Sequence, residues 1–163
     1  MHFHLESAFG EILELHVQGL RGFVKSLRYD LFTENELKLH FDDIGMTIFD
    51  QDRILEGWRV DKQSAIVKIR KMERLLNYQR AEDKLREANN FYFLNLLYIS
   101  DVVSEKCKDL LANLHKYMNY LDPDLYKTQT SERLEEIKKL RQTILPEKRN
   151  SVRIEMQKEL RIE

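Results

Sequence analysis

The sequence predicts an all-α protein, an antiparallel bundle of about four long helices with a charged helical extension at its C-terminal end. Two observations predict this class. Only five of the 163 residues are Gly and two are Pro, a composition that favours long helices over short strands joined by tight turns. Apolar side chains also recur at intervals of three and four residues along most of the chain, which is the spacing of one helical face.

Composition also limits the expected partners and compartment. The chain carries 27 basic and 28 acidic residues, a formal net charge of −1, so binding to nucleic acid or anionic lipid would need a local patch. Cys107 is the only cysteine, which excludes an internal disulfide and fits the reducing cytoplasm. We expect no cofactor, because the glycines form no phosphate-binding loop. We also expect no transmembrane segment, because no apolar run is long enough to span a bilayer.

The first half of the chain contains two predicted helices and one structural alternative. The first helix runs from Leu5 to Leu31. The second begins at a capping box, Thr33-Glu34-Asn35-Glu36, and continues to Leu55. Residues 37–49 also alternate between apolar and polar side chains around a possible turn at 42–45, so a β-hairpin is the alternative for that segment.

The third and fourth helices are predicted to supply most of the core. The third follows Asp61 and runs to Leu85, and 89–90, a pair of asparagines, is the predicted joint. The fourth runs from Phe93 to Leu121 and has the richest apolar pattern in the chain. We therefore expect it, together with the apolar run 91–99, to lie in the core, and we expect Pro123 to follow its end.

The predicted organisation is a helical bundle core at residues 1–122, a linker at 123–130 and a charged helical extension at 131–163. The extension carries a thin apolar stripe between charged residues, which is typical of a helix that docks on a partner or forms a coiled coil. A solvated outer helix of the same bundle is the alternative. The residues predicted to bind a protein partner or a second copy are the stripe, together with one aromatic anchor: Leu134, Ile137, Ile144, Val152, Met156, Leu160 and Trp58.

A basic stripe on the third helix indicates a nucleic-acid-binding alternative. Lys68, Arg70, Lys71 and Arg74 could contact a phosphate backbone, with Tyr78 stacking on a base. The acidic residues that interleave with the stripe, and the near-neutral net charge, count against a dedicated nucleic-acid binder.

A second alternative is a metal-binding or enzymatic bundle. Asp43 and Asp50 are seven residues apart and share a helical face if the segment is one helix, and His40 lies close to them in sequence. Carboxylate oxygens are the ligands that hard cations such as Mg²⁺ and Ca²⁺ prefer. The spacing of an EF-hand loop is absent.

Taken together, these patterns predict a non-enzymatic protein-interaction or regulatory module. No catalytic motif is present, and amphipathic helices are the dominant feature of the chain. No residue is predicted to be catalytic.

Overall fold

The computed structural model describes residues 2–21, 27–122 and 130–159, with the side chains of residue 2 and residues 15–21 left out. These residues form seven α-helices: α1 His2–Arg21, α2 Glu34–Asp43, α3 Ile48–Val60, α4 Lys62–Leu94, α5 Asp101–Tyr120, α6 Ser131–Lys139 and α7 Leu145–Glu159. Short 3-10 turns lie at Tyr29–Leu31 and Leu96–Tyr98. The described residues contain no strand, so the all-α class is confirmed. None of their helices is long and apolar enough to cross a membrane.

The start of α2 is fixed by the predicted capping box. The Thr33 hydroxyl accepts a hydrogen bond from the backbone N–H of Glu36, and the Glu36 carboxylate accepts one from the backbone N–H of Thr33 at 2.7 Å. Each side chain thereby satisfies a donor that the first helical turn leaves unpaired.

The predicted continuation of this helix to Leu55 is wrong, and so is the hairpin alternative. Residue 45 is a glycine with a φ of 73°, a left-handed conformation that ends α2. The N–H of Met46 donates to the carbonyl of Phe41 at 2.8 Å, and the N–H of Gly45 donates to that of Asp42 at 3.1 Å. This pair of bonds is a Schellman motif, which closes the helix before α3 begins.

Residues 18–79 form one compact unit, which we call the central unit. Its core is contributed by the 3-10 turn at 29–31, by α2 and α3, and by the first half of α4. The Gln51 amide supports the turn between α2 and α3, because it donates to the carbonyl of Met46 at 3.0 Å and to the Asp42 carboxylate at 2.8 Å. The buried core residues are Tyr29, Leu37, Phe41, Met46, Ile54, Leu55, Trp58, Ala65, Ile66 and Ile69.

Residues 1–17 and 80–163 form a second compact unit, which we call the terminal unit. Within it α7 packs along α5, and Leu145 and Val152 are the buried residues of α7. The Arg149 guanidinium of α7 pairs with the Glu6 carboxylate of α1 and lies 4.8 Å from the ring centroid of Phe9. Polar and apolar contacts therefore both hold α7 within this unit.

Helix α4 contributes side chains to both cores. Its first half buries Ala65, Ile66 and Ile69 in the central unit. The buried residues of its second half belong to the terminal unit and lie on a different side of the helix from those of the first half. They are Ala81, Leu85, Ala88 and Tyr92. Because the two sets of buried positions differ in register, the helix as a whole has no single apolar stripe.

The joint between α4 and α5 lies further along the chain than predicted. Helix α4 continues through residues 89–90 and ends at Leu94. The Asn95 side-chain amide donates to the carbonyl of Phe91 at 2.7 Å, and the Ser100 hydroxyl caps α5 by accepting from the N–H of Val103. A side-chain bond at the end of one helix and an N-cap at the start of the next place the joint at 95–100.

Helix α6 continues into α7 through one π-helical turn at Leu140–Ile144. The N–H of Leu145 donates to the carbonyl of Leu140, five residues back. Pro146 has no N–H and its ring would crowd the carbonyl four residues earlier, so the wider turn lets the helix pass this residue. Most of the predicted linker lies outside the described residues, and the boundary at 123–130 stays a prediction.

Replacing Gly45 with alanine should destabilise the central unit by about 1 kcal/mol, because a Cβ is unfavourable at a positive φ. Gly57→Ala is the matched control, since Gly57 lies inside α3 and an added Cβ would meet only the Lys68 amine, at 4.0 Å. That change should instead stabilise by up to about 1 kcal/mol. Urea unfolding followed by the fluorescence of Trp58, the single tryptophan, measures both. Equal effects of the two variants would contradict the assigned turn.

Candidate partner-docking surface

The apolar stripe of the C-terminal extension is largely covered within the terminal unit. Ile137 and Val152 are buried, and Ile144 and Met156 are half-buried. Leu134 is 48% exposed, and the position of Leu160 lies outside the described residues. A partner binding this stripe would therefore contact mainly Leu134.

Trp58, the predicted aromatic anchor, is buried in the core of the central unit. The Lys62 amine lies 5.0 Å from the centroid of its ring. Trp58 is one of the residues that line an open pocket, together with Arg59 and Glu34, which form an ion pair at 2.8 Å. Trp58 thus stabilises the core and offers little surface of its own.

The four predicted nucleic-acid-binding residues share the exposed face of α4 in the central unit. Lys68, Arg70, Lys71 and Arg74 are all exposed, and helical spacing places Lys71 beside Lys68 and Arg74, with Arg70 beside Arg74 and away from Lys68. The acidic residue within this stretch, Glu73, lies on the buried side of the helix and bonds to Tyr29 and His40.

The three predicted metal ligands do not converge on one point. His40 bonds to residues of the core, and the Asp50 carboxylate accepts a hydrogen bond from the Thr47 hydroxyl at 2.7 Å at the start of α3. Asp43 is exposed at the end of α2. In the part of the chain that the structure describes, no group of three or more His, Cys, Asp or Glu side chains could hold a metal ion.

Tyr29, His40 and Glu73 form a hydrogen-bonded network that joins the 3-10 turn, α2 and α4. The Tyr29 hydroxyl donates to the Glu73 carboxylate, and His40 Nε2 lies 2.9 Å from the same oxygen. The distance from His40 Nε2 to the Tyr29 hydroxyl is 3.2 Å. Burial, together with the bond to the carboxylate, raises the pKa of Tyr29 well above its usual range.

The largest cluster of exposed apolar side chains in the described sequence lies at the joint between α4 and α5. Leu97 is 92% exposed and Tyr98 is 82% exposed, and within the run 91–99 Tyr92 is buried. The expectation that this run lies in the core is therefore wrong for most of its residues. We define the 93–102 surface by six exposed apolar residues: Phe93, Leu94, Leu96, Leu97, Tyr98 and Val102.

Geometry explains why this surface is exposed. Eight of the nine residues from 91 to 99 are apolar or aromatic, whereas a helix covered on one side buries only about one residue in two or three. Most of these side chains must therefore point away from the core. A sequence signal could have indicated this: residues 88–100 contain no charged side chain, in a chain in which 34% of residues are charged.

Charged groups next to the surface are mostly acidic. Asp101 and Glu105 are exposed on the first turns of α5. The Glu159 carboxylate of α7 accepts a hydrogen bond from the N–H of Ser100 at 3.1 Å. An apolar centre with charged groups at its edge is the usual composition of a protein-binding surface.

Exposed apolar residues of the central unit are more scattered. Val60 is 89% exposed but lies between Arg59 and Asp61. Leu31, 70% exposed, lines the same pocket as Val60, and Ile48 and Phe49 are an adjacent exposed pair. Groups of one or two exposed apolar side chains are common on protein surfaces and do not indicate a binding site. The 93–102 surface differs because its residues are continuous in the sequence and uninterrupted by charge until Asp101.

Comparisons with protein-family models, curated proteins and solved structures find no match to this chain.

The raised pKa of Tyr29 predicts a loss of stability at alkaline pH. Its stabilising contribution is fully present below the unfolded-state pKa of about 10 and is lost as pH rises further, by roughly 1.4 kcal/mol per pH unit. At pH 8 the Tyr29→Phe protein should therefore unfold at a lower urea concentration than the wild type. Between pH 10 and 11 its free energy of unfolding should fall by less than that of the wild type. Tyr98→Phe, at an exposed position, should follow the wild type. Parallel pH dependence of all three proteins would contradict this role of Tyr29.

Proposed function

We propose that this protein is a non-enzymatic interaction module that binds a protein partner through the 93–102 surface. One observation carries the proposal: six large apolar side chains are exposed within ten consecutive residues of one well-defined helical joint. Exposed apolar clusters of this kind on soluble proteins mark binding surfaces.

The energy of covering this surface is large enough for specific binding. Removing an exposed leucine or aromatic side chain from water is favourable by about 1.5–3 kcal/mol. Six such residues can offset the entropy that two proteins lose when they associate. Leu97 and Tyr98, the most exposed of the six, are the expected anchors.

A protein is a better fit to this surface than a lipid membrane. Asp101 and Glu105 lie beside the apolar residues, and Glu159 reaches the start of the same helix. Carboxylates in this position are repelled by the negative potential of anionic lipid surfaces, which attract basic flanking residues instead.

A cysteine introduced at Leu97 provides a direct test. The native Cys107 is buried, and burial raises the pKa of its thiol to about 11, so it reacts slowly. A Leu97→Cys protein labelled with a thiol-reactive photo-crosslinker should give a discrete protein adduct in cells of its source. Excess unlabelled wild-type protein should abolish the adduct, whereas Leu97→Asp protein should not compete.

The matched control carries the same label at Val60→Cys, a position equally exposed and apolar but in the central unit. This control should give no adduct that wild-type protein competes away. The same adducts from both positions, or none from residue 97, would contradict the proposed function.

A second function, nucleic-acid binding, is favoured by the exposed basic face of α4. Its four cations are all exposed over the two turns from 68 to 74, and Glu73 in the same stretch bonds to Tyr29 and His40 instead. One of the acidic residues that interleave with the stripe, Glu73, is therefore held by Tyr29 and His40, away from the cations.

This second function predicts salt-dependent binding of a labelled DNA duplex or single-stranded RNA, measured by fluorescence anisotropy. Changing Lys68, Arg70, Lys71 and Arg74 to Gln should abolish binding at low salt, because these side chains would make the phosphate contacts. In the wild type each such contact should contribute about 0.7–0.9 to the slope of log affinity against log salt. The matched control has the same loss of charge in the terminal unit, at Lys108, Lys138, Lys139 and Lys158. Equal losses in both variants would reject a specific role for α4.

A further inference from the structure

We infer that the partner covering the 93–102 surface is a second copy of this chain, so that two copies associate through this surface as a symmetric dimer. This inference rests on the proposed function and names its partner. Two properties of the surface support it: its area and its lack of charge.

The area of the surface matches what a stable dimer needs. The exposed fractions of its six residues average about two thirds, which corresponds to on the order of 700 Å² of side-chain surface when a large apolar side chain carries about 170 Å². Two copies would together bury about 1,400 Å², within the range of specific protein interfaces. Complete burial of this surface would therefore supply an interface of the size that specific complexes have.

Lack of charge makes the surface complementary to itself. In a two-fold symmetric contact each residue near the axis faces itself or a close neighbour from the other copy. A charged residue there would face a like charge, whereas the uncharged residues from 88 to 100 avoid that repulsion.

Residues at the edge of the surface also suit a symmetric contact. Asp101 and Glu105 are exposed on α5, and Lys106 and Lys108 follow them within the next turn. These lysines lie on α5 beyond the acidic edge of the surface, and those of one copy can face the acidic residues of the other.

Sedimentation velocity over a dilution series of the purified full chain tests the inference. The wild type should reach twice the 19.7 kDa chain mass at high concentration. Leu97→Asp should weaken dimerisation by about thirty-fold or more, because each copy would bury an unpaired carboxylate at the centre of the contact. Val60→Asp places the same charge at an equally exposed position in the central unit and should leave dimerisation unchanged.

Circular dichroism of both variants should show the helical content of the wild type. If Leu97→Asp lowers it, Tyr98→Ser gives the same test without introducing a charge. A wild type that stays monomeric at high micromolar concentration, or a dimer that none of these changes at the 93–102 surface weakens, would overturn the inference.

The outcomes separate this inference from the proposed function. If the wild type is monomeric, the label at residue 97 can still give an adduct with a different protein, one that unlabelled wild-type protein abolishes. That outcome would support the interaction module but reject a second copy as the partner. Binding of the monomer to neutral phosphatidylcholine vesicles, lost in Leu97→Asp, would reject both.

Discussion

The structure depends on the continuity of α4, a single helix of 33 residues that supplies side chains to two separate cores. Ile69 lies in the core of the central unit, and Leu85 lies in that of the terminal unit. Because a helix buries side chains on the face that meets its neighbours, each half of α4 is apolar at a different register. Basic residues occupy much of the exposed side of the first half, together with Val67, and Glu73 bonds to Tyr29 and His40.

The end of α4 determines where the candidate interface lies. After Tyr92 the chain leaves the core, passes through a joint held by Asn95 and Ser100, and re-enters it at Val103. Six apolar side chains between these points lie outside the terminal core, so folding of this chain leaves them in contact with water. Association with a protein surface would remove that unfavourable contact.

Local chemistry was predictable from the sequence, whereas the placement of apolar runs was not. The capping box at Thr33 and the start of α4 after Asp61 follow from hydrogen-bonding groups within a few residues of each position, and both are confirmed. The turn at 42–45 was predicted only as part of the hairpin alternative, because helical apolar spacing continues across it. The run 91–99 was predicted to be buried because it is hydrophobic. That prediction was wrong for most of the run because hydrophobicity alone does not show which helical face is covered. The 93–102 surface was therefore not among the predicted partner-binding residues, although its uncharged sequence could have indicated it.

The most direct test of the central claim, that this protein acts through an apolar protein interface, is size-exclusion chromatography with light scattering. Absorbance at 260 and 280 nm is recorded across the peak at low and at high salt. We predict a defined protein oligomer with a protein absorbance spectrum, and its mass should not fall with salt, because apolar contacts are not screened by ions. A species that carries nucleic acid at low salt and loses it at high salt would contradict the claim and favour the basic face of α4.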